Sequence, residues 1–332
     1  MNFNGELLKK LVNTYGPSGD ESQIAEVVKN EIKDYLDEIK IDRLGNLIAR
    51  KKGNGNKIML AAHMDQIGLL VTDIDEKGFL RFTNIGGISP YVSIGQRVIF
   101  KNGIIGVIYM EPMEDMGKLK LENMYIDIGA SSKEDAEKRV SIGDSCVYTA
   151  QYYENQNNVI SGCIDDRIGC YILIEAIKEL KESNNDIYFV FTSQEEVGLR
   201  GAKTSAYSID PDFGIAIDIT GSGDTPKAKR FAVGLDKGAA IKVKDQSIIV
   251  NPLVKDFMIR AAKENNILYQ LEVLEHGGTD SGAIHLTKEG IPSGVISVPT
   301  RYVHTPSETI AKNDVNNCIS LLLSLINMKI EF

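Results

Sequence analysis

Two histidines and several carboxylates stand where apolar runs of this sequence end, and together they have the donor chemistry of a metal-dependent hydrolase. His63 and Asp65 close KIMLAAHMD, Glu195 and Glu196 follow DIYFVFTSQ, Asp218 follows FGIAI, and His304 lies just past GVISVPT. In extended chain, residues two apart point the same way, so Asp65 can support the His63 imidazole from behind, as carboxylates commonly do for metal-bound histidine. Adjacent residues at a strand end point in different directions. One of Glu195 and Glu196 can therefore hold a metal while the other faces the water to be activated. Asp165 and Asp166 precede a helix starting near Arg167.

Each feature also has an ordinary reading. An acidic pair suits a helix N-terminus, paired glutamates are common on solvated surfaces, a buried aspartate such as Asp218 needs only an ion pair, and a lone loop histidine such as His304 is common surface decoration. The set argues more strongly than its members. The chain has four histidines in 332 residues, and two of them end core strands. Two His, two Asp and one Glu give the mixed nitrogen and oxygen donors of zinc, cobalt or manganese sites. Three carboxylates and a hydroxide balance two divalent cations, which requires one aspartate to be shared.

The elements that must position these residues are legible from periodicity. Residues 6–13 and 20–37 have helical spacing, with Ser18 to Glu21 reading as a capping box. The runs KIMLAAHMDQIGLLV, DIYFVFTSQEE, FGIAIDIT and PSGVISVPT read as strands buried on both faces, alternating with helical stretches such as RIGCYILIEAIKELKES. This predicts an α/β fold with a largely parallel central sheet and helices on both faces, its ligands outside the carboxyl ends of the strands. Within about 68–153, apolar and polar residues alternate and Gly and Asn mark the turns. The expected layout is a discontinuous catalytic domain, 1–67 and 154–332, interrupted by a small β-barrel-like domain, 68–153. His304 is expected in a loop fixed by Pro306 before the terminal helix.

Composition narrows the chemistry. A net charge of -9 disfavours a nucleic-acid partner. No stretch approaches the roughly 20 apolar residues of a membrane span, and neither an exported start nor an oxidising compartment is indicated, so a cytoplasmic location with four reduced cysteines is expected. HExxH, GxSxG, GxxxxGK[ST] and GxGxxG are absent. The stretch HGGTDSGAI could shape a substrate pocket through Gly278, Thr279 and Asp280, or be a plain turn. Lys229, Arg230 and Arg301 would favour acidic substrates if they face the site, and are otherwise ordinary surface charges.

Over essentially its whole length the chain resembles the tetrahedral aminopeptidases, the family of glutamyl, lysyl and deblocking aminopeptidases, some of which carry an endoglucanase name. The resemblance rests on YGPSGDE, IDRLGNLIARKKG, AAHMDQIGLLV, DIGASSKEDAEKRVSIGD, DDRIGC, TSQEEVGLRGA, AIDIT, GGTDSGAI and RYVHTPSE, in that order. It implies two divalent metals per chain, zinc or cobalt foremost and manganese as an alternative. His63 and Asp218 would hold one and Glu196 and His304 the other, with Asp165 bridging. It also implies Glu195 as general base toward a water shared by the metals, Asp65 as support for His63, and peptides with a free N-terminus as substrates. Dimers formed through the β domain would assemble into dodecamers. ISGCIDDR and NIGGISPYVSIGQ depart from the family pattern, the second bearing on assembly. Two rival readings compete with this one. Glycoside hydrolysis needs a carboxyl pair and favours stacking aromatics, yet the chain lacks tryptophan; an inactive metal-binding scaffold would not require Glu195.

Overall fold

The computed structural model describes residues 3–228 and 231–330. Strands Lys57–His63, Asp186–Thr192, Phe213–Gly221 and Ser293–Arg301 run parallel at the centre of a sheet that is eleven-stranded among the described residues. The alternation within one strand shows why the apolar runs are continuous. Ile58, Leu60 and Ala62 enter the core on one face, and Met59 and Ala61 enter a second core on the other. Helix Ile164–Glu179, buried along nearly its whole length, covers the first face with Gly5–Val12 and Lys312–Asn327; Arg200–Ile209 and Ser281–Ile284 cover the second. The flanking strands Leu47–Lys51, Ala239–Lys244 and Glu308–Ala311 pair antiparallel with the parallel set.

Six strands between Gly68 and Tyr148 close into a barrel with its own apolar core, including Leu69, Val71, Leu80, Val98, Ile108 and Ile126. By Tyr153 the chain has rejoined the large sheet, where Tyr153 pairs with Ile160. Among the described residues no helix is long and apolar enough to cross a membrane.

Three local expectations need correction. The second helix is shorter, Ser22–Ile32, and carries no capping box. Ser18 and Glu21 are occupied elsewhere: the Ser18 hydroxyl donates to Asp65 Oδ2, and Glu21 Oε1 accepts the amides of Gly19 and Gln194. Their side chains serve a long-range contact that local pattern cannot anticipate. After His304 the chain does not run directly into the terminal helix; it first forms strand Glu308–Ala311, which pairs with both Asn158–Ser161 and Ser293–Arg301.

Candidate metal centre

Strand pairing itself opens the site. Lys57–His63 and Phe213–Gly221 stay paired only as far as Ala61 and Ala216, so His63 and Asp218 each stand two residues beyond the last paired position. The His63 amide, on the side facing Phe213–Gly221, instead donates to Asp166 Oδ2 at 3.2 Å. On its other side the strand remains paired to the end, Thr192 opposite His63, and Glu195 and Glu196 follow just past Thr192. The crevice thus lies outside the carboxyl ends of the parallel strands, where α/β sheets place their ligands.

Asp165 occupies the middle of this crevice. Its Oδ1 lies 3.1 Å from His63 Nε2 and its Oδ2 lies 3.2 Å from His304 Nε2. Glu196 Oε1 is 3.4 Å from the same His304 nitrogen, and Glu195 Oε2 is 3.9 Å from His63 Nε2. Asp165 and Asp166 break the helical conformation at the start of Ile164–Glu179, and the peptide between them is cis. Regular helix begins after them, and Asp166 caps it, its Oδ1 accepting the Gly169 amide at 3.0 Å. Asp218 gathers with His63 and Asp166, one potential ligand atom from each lying within 4.8 Å of the others, as do His63, Asp165 and Glu196.

Asp65 flanks the His63 imidazole, its main-chain carbonyl 3.0 Å from Nδ1 and its carboxylate 3.5 Å. The carboxylate accepts the Glu195 amide at 2.9 Å, the Glu196 amide at 3.2 Å and the Ser18 hydroxyl at 2.6 Å. Asp65 therefore aims the two glutamates as well as flanking the imidazole. Asp166 likewise spends its oxygens on backbone, accepting from His63 and Gly169.

The electrostatics call for cations. Asp65, Asp165, Asp166, Asp218, Glu195 and Glu196 are buried or nearly so; among the described residues the imidazoles of His63 and His304 face them, and Lys242 adds a weaker positive influence on Asp218. Burial, with the charges of Asp218 and Glu196, pushes the Glu195 carboxyl well above the usual range; burial and Asp165 do the same to Asp218. Burial disfavours protonation of His63, but Glu195, Asp165 and Asp65 overcome it and raise the ring well above its ordinary value. Asp165 and Asp65 are lowered: burial is outweighed at Asp165 by the two imidazoles, and at Asp65 by His63 and the hydrogen bonds from Ser18 and the Glu195 amide. Glu196 Oε1 is buried without a hydrogen bond. A dense set of oxygen donors with two imidazole nitrogens and one orphaned carboxylate oxygen fits divalent ions of the zinc, cobalt and manganese class.

Of the proposed substrate residues, Gly278 lines the crevice, whereas Thr279 and Asp280 are buried beneath it. Asp280 accepts from the Thr192 hydroxyl at 2.5 Å, and burial pushes its carboxyl up to about 6. Arg301 turns to Asp224, which accepts from its Nε at 2.8 Å and its Nη2 at 2.7 Å. Lys229 and Arg230 lie outside the described residues.

Two residues of the site carried no assignment from sequence. Glu308 Oε2 accepts the amides of Ile164 (2.6 Å) and Asp165 (3.1 Å), while its Oε1 accepts the His304 amide (2.8 Å). Its only signal was its place four residues after His304. The Gly87 carbonyl, reaching over from beside the barrel strands, lies 2.8 Å from His304 Nδ1. Nothing local distinguishes Gly87 from other turn glycines.

The chain is similar to known aminopeptidases over nearly its whole length. The family described as M42 glutamyl aminopeptidase matches residues 45–321. A protein of Acetivibrio thermocellus provisionally named an aminopeptidase is 56% identical over 97% of this chain and 98% of its own. The lysyl aminopeptidase of Pyrococcus furiosus is 37% identical over 97% and 96%. A solved structure of the Pyrococcus horikoshii TET1 peptidase, described as assembling into a tetrahedron or a large octahedral shell, superposes with a TM-score of 0.86 at 35% identity, covering 97% of this chain and 98% of that one.

Proposed function

The chain belongs to the M42 glutamyl aminopeptidase family, and on that premise we propose that it is a dinuclear metallo-aminopeptidase with Glu195 as its general base. The observation that carries this reading is Asp165, whose two oxygens each meet the Nε2 of a different histidine. A carboxylate so placed suits a shared ligand, with His63 and Asp218 completing one ion's set and Glu196 and His304 the other's. Divalent ions held there supply Lewis-acid polarisation of the substrate carbonyl and lower the pKa of water.

The remaining chemistry belongs to the chain. Asp65 fixes the backbone of Glu195 and so directs its carboxyl into the crevice. Glu195 accepts a proton from the attacking water and returns it to the leaving amine nitrogen. We also assign 68–153 to an inserted domain that pairs subunits, and expect a closed shell of dimers, in line with the assemblies described for the Pyrococcus horikoshii peptidase.

The test is Glu195→Gln. It should retain two divalent ions per chain by elemental analysis while kcat on aminoacyl anilides falls by about 10²–10⁴-fold, the usual contribution of a general base. An unaltered rate refutes the role of Glu195. Full activity in the wild type after exhaustive chelation refutes the metal reading.

A further inference from the structure

The crevice that holds the metal centre is a cavity of about 470 Å³ extending beyond the proposed ligands. Leu199, Ile219, Leu274 and Val303 line it, and Gly198, Gly221, Gly277 and Gly278 leave its wall open. Lys242, next to Thr220, is the only lysine or arginine among the described residues of that wall. A lone buried lysine in a substrate pocket would ordinarily select an acidic side chain.

This one is already engaged. Lys242 is 1% exposed, its Nζ lying 2.7 Å from Glu272 Oε1 and 3.2 Å from Asp245 Oδ2, and both carboxylates are fully buried. The Thr220 hydroxyl donates to the same Glu272 oxygen at 2.8 Å, and Asp245 is fixed by the amides of Ser247 and Ile248. Two carboxylates against one ammonium leave the cluster with an excess negative charge. An incoming glutamate or aspartate side chain would lose its hydration and meet no free cation among the described residues of the wall. An incoming lysine would meet the ammonium of Lys242, behind which both carboxylates lie out of reach. Apolar walls and a lysine already engaged leave the pocket suited to an uncharged side chain, whose burial supplies the binding energy.

Resting on the aminopeptidase reading above, we propose that this cavity receives the side chain of the substrate's first residue and selects neutral, apolar residues of leucine or methionine size, with Glu272 and Asp245 holding Lys242 out of acidic recognition. The experiment is a steady-state comparison of leucyl, methionyl, alanyl, glutamyl and lysyl p-nitroanilides with the metal-loaded enzyme, wild type and Glu272→Gln. In the wild type kcat/KM for the leucyl and methionyl substrates should exceed that for the glutamyl and lysyl ones at least tenfold. Glu272→Gln should raise the glutamyl-to-leucyl ratio about tenfold, chiefly through a lower KM for the glutamyl substrate. Glutamyl or lysyl turnover equal to leucyl in the wild type overturns the proposal, as does an unchanged ratio in a folded Glu272→Gln. Should that variant not fold, Asp245→Asn provides the same comparison, and the wild-type ranking decides independently. Hydrolysis of no anilide at all defeats the aminopeptidase reading itself, an outcome distinct from hydrolysis with the wrong preference.

Discussion

Glu308 joins the two halves of the proposed centre through backbone alone, and replacing it with glutamine isolates that function. The carboxylate is 2% exposed and accepts three amides, two from the segment carrying Asp165 and one from His304 itself. A glutamine of the same shape has one acceptor oxygen. Turned toward Ile164 and Asp165, it keeps those two bonds and presents its NH₂ to the His304 amide, donor against donor. One charge-assisted bond is then lost, worth about 1.5–3 kcal/mol, and the His304 backbone must shift to relieve the clash. Because 1.36 kcal/mol is tenfold in an equilibrium constant, the ion held by His304 and Glu196 should bind about 10–100-fold more weakly, while the one held by His63 and Asp218 changes little. Competition against a chromophoric chelator, followed as two binding steps, measures both constants, and circular dichroism checks that the fold persists. Two unchanged constants would show that Glu308 does not position the ligands. Equal weakening of both would show that it supports the whole crevice rather than His304.

Three further outcomes follow from contacts of the same kind. In Gly87→Ala the added Cβ would lie 2.9 Å from His304 Nδ1; the same chelator titration should find the His304 ion weakened at least tenfold, with the barrel core unaffected in thermal melts. Arg167→Met removes a fully buried guanidinium that donates to the carbonyls of Leu11 at 2.6 Å and Thr14 at 2.9 Å. Leaving those acceptors unpaired should cost about 3 kcal/mol or more in denaturant unfolding. Arg301→Gln should cost at most about 1 kcal/mol, because its pair with Asp224 is partly exposed, and should leave the glutamyl-to-leucyl ratio unchanged. Arg301 holds the Asp224 carboxyl below the usual range. The stability the pair contributes is therefore present above the unfolded aspartate value, about 3.9, and is lost as pH falls below it. Melts of wild type and variant should converge in acid; a difference that persists there contradicts the pairing.

What the sequence discloses about such a site depends on how far apart in the chain the cause and its effect lie. His63, Glu195, Glu196, Asp218 and His304 were legible because each ends or follows an apolar run, and a parallel sheet brings all such ends to one rim. Asp165 looked like a cap, since the contacts that distinguish it come from His63, 102 residues away, and from the distant His304. Asp65 was legible only as a neighbour of His63, although its carboxylate chiefly holds amides 130 and 131 positions on. Glu308 was invisible as chemistry, because its partners are backbone amides and backbone carries no sequence signature. The same holds for Gly87, which contributes a carbonyl that any residue possesses and is constrained only by the absence of a Cβ. These two contacts converge on His304, the most exposed of the proposed ligands, whose side chain retains a third of its accessibility. One comes from the last strand of the large sheet and the other from the loop between barrel strands Leu80–Ile85 and Arg97–Phe100. The least buried ligand is thus held from both structural units, which offsets the freedom its exposure would otherwise allow.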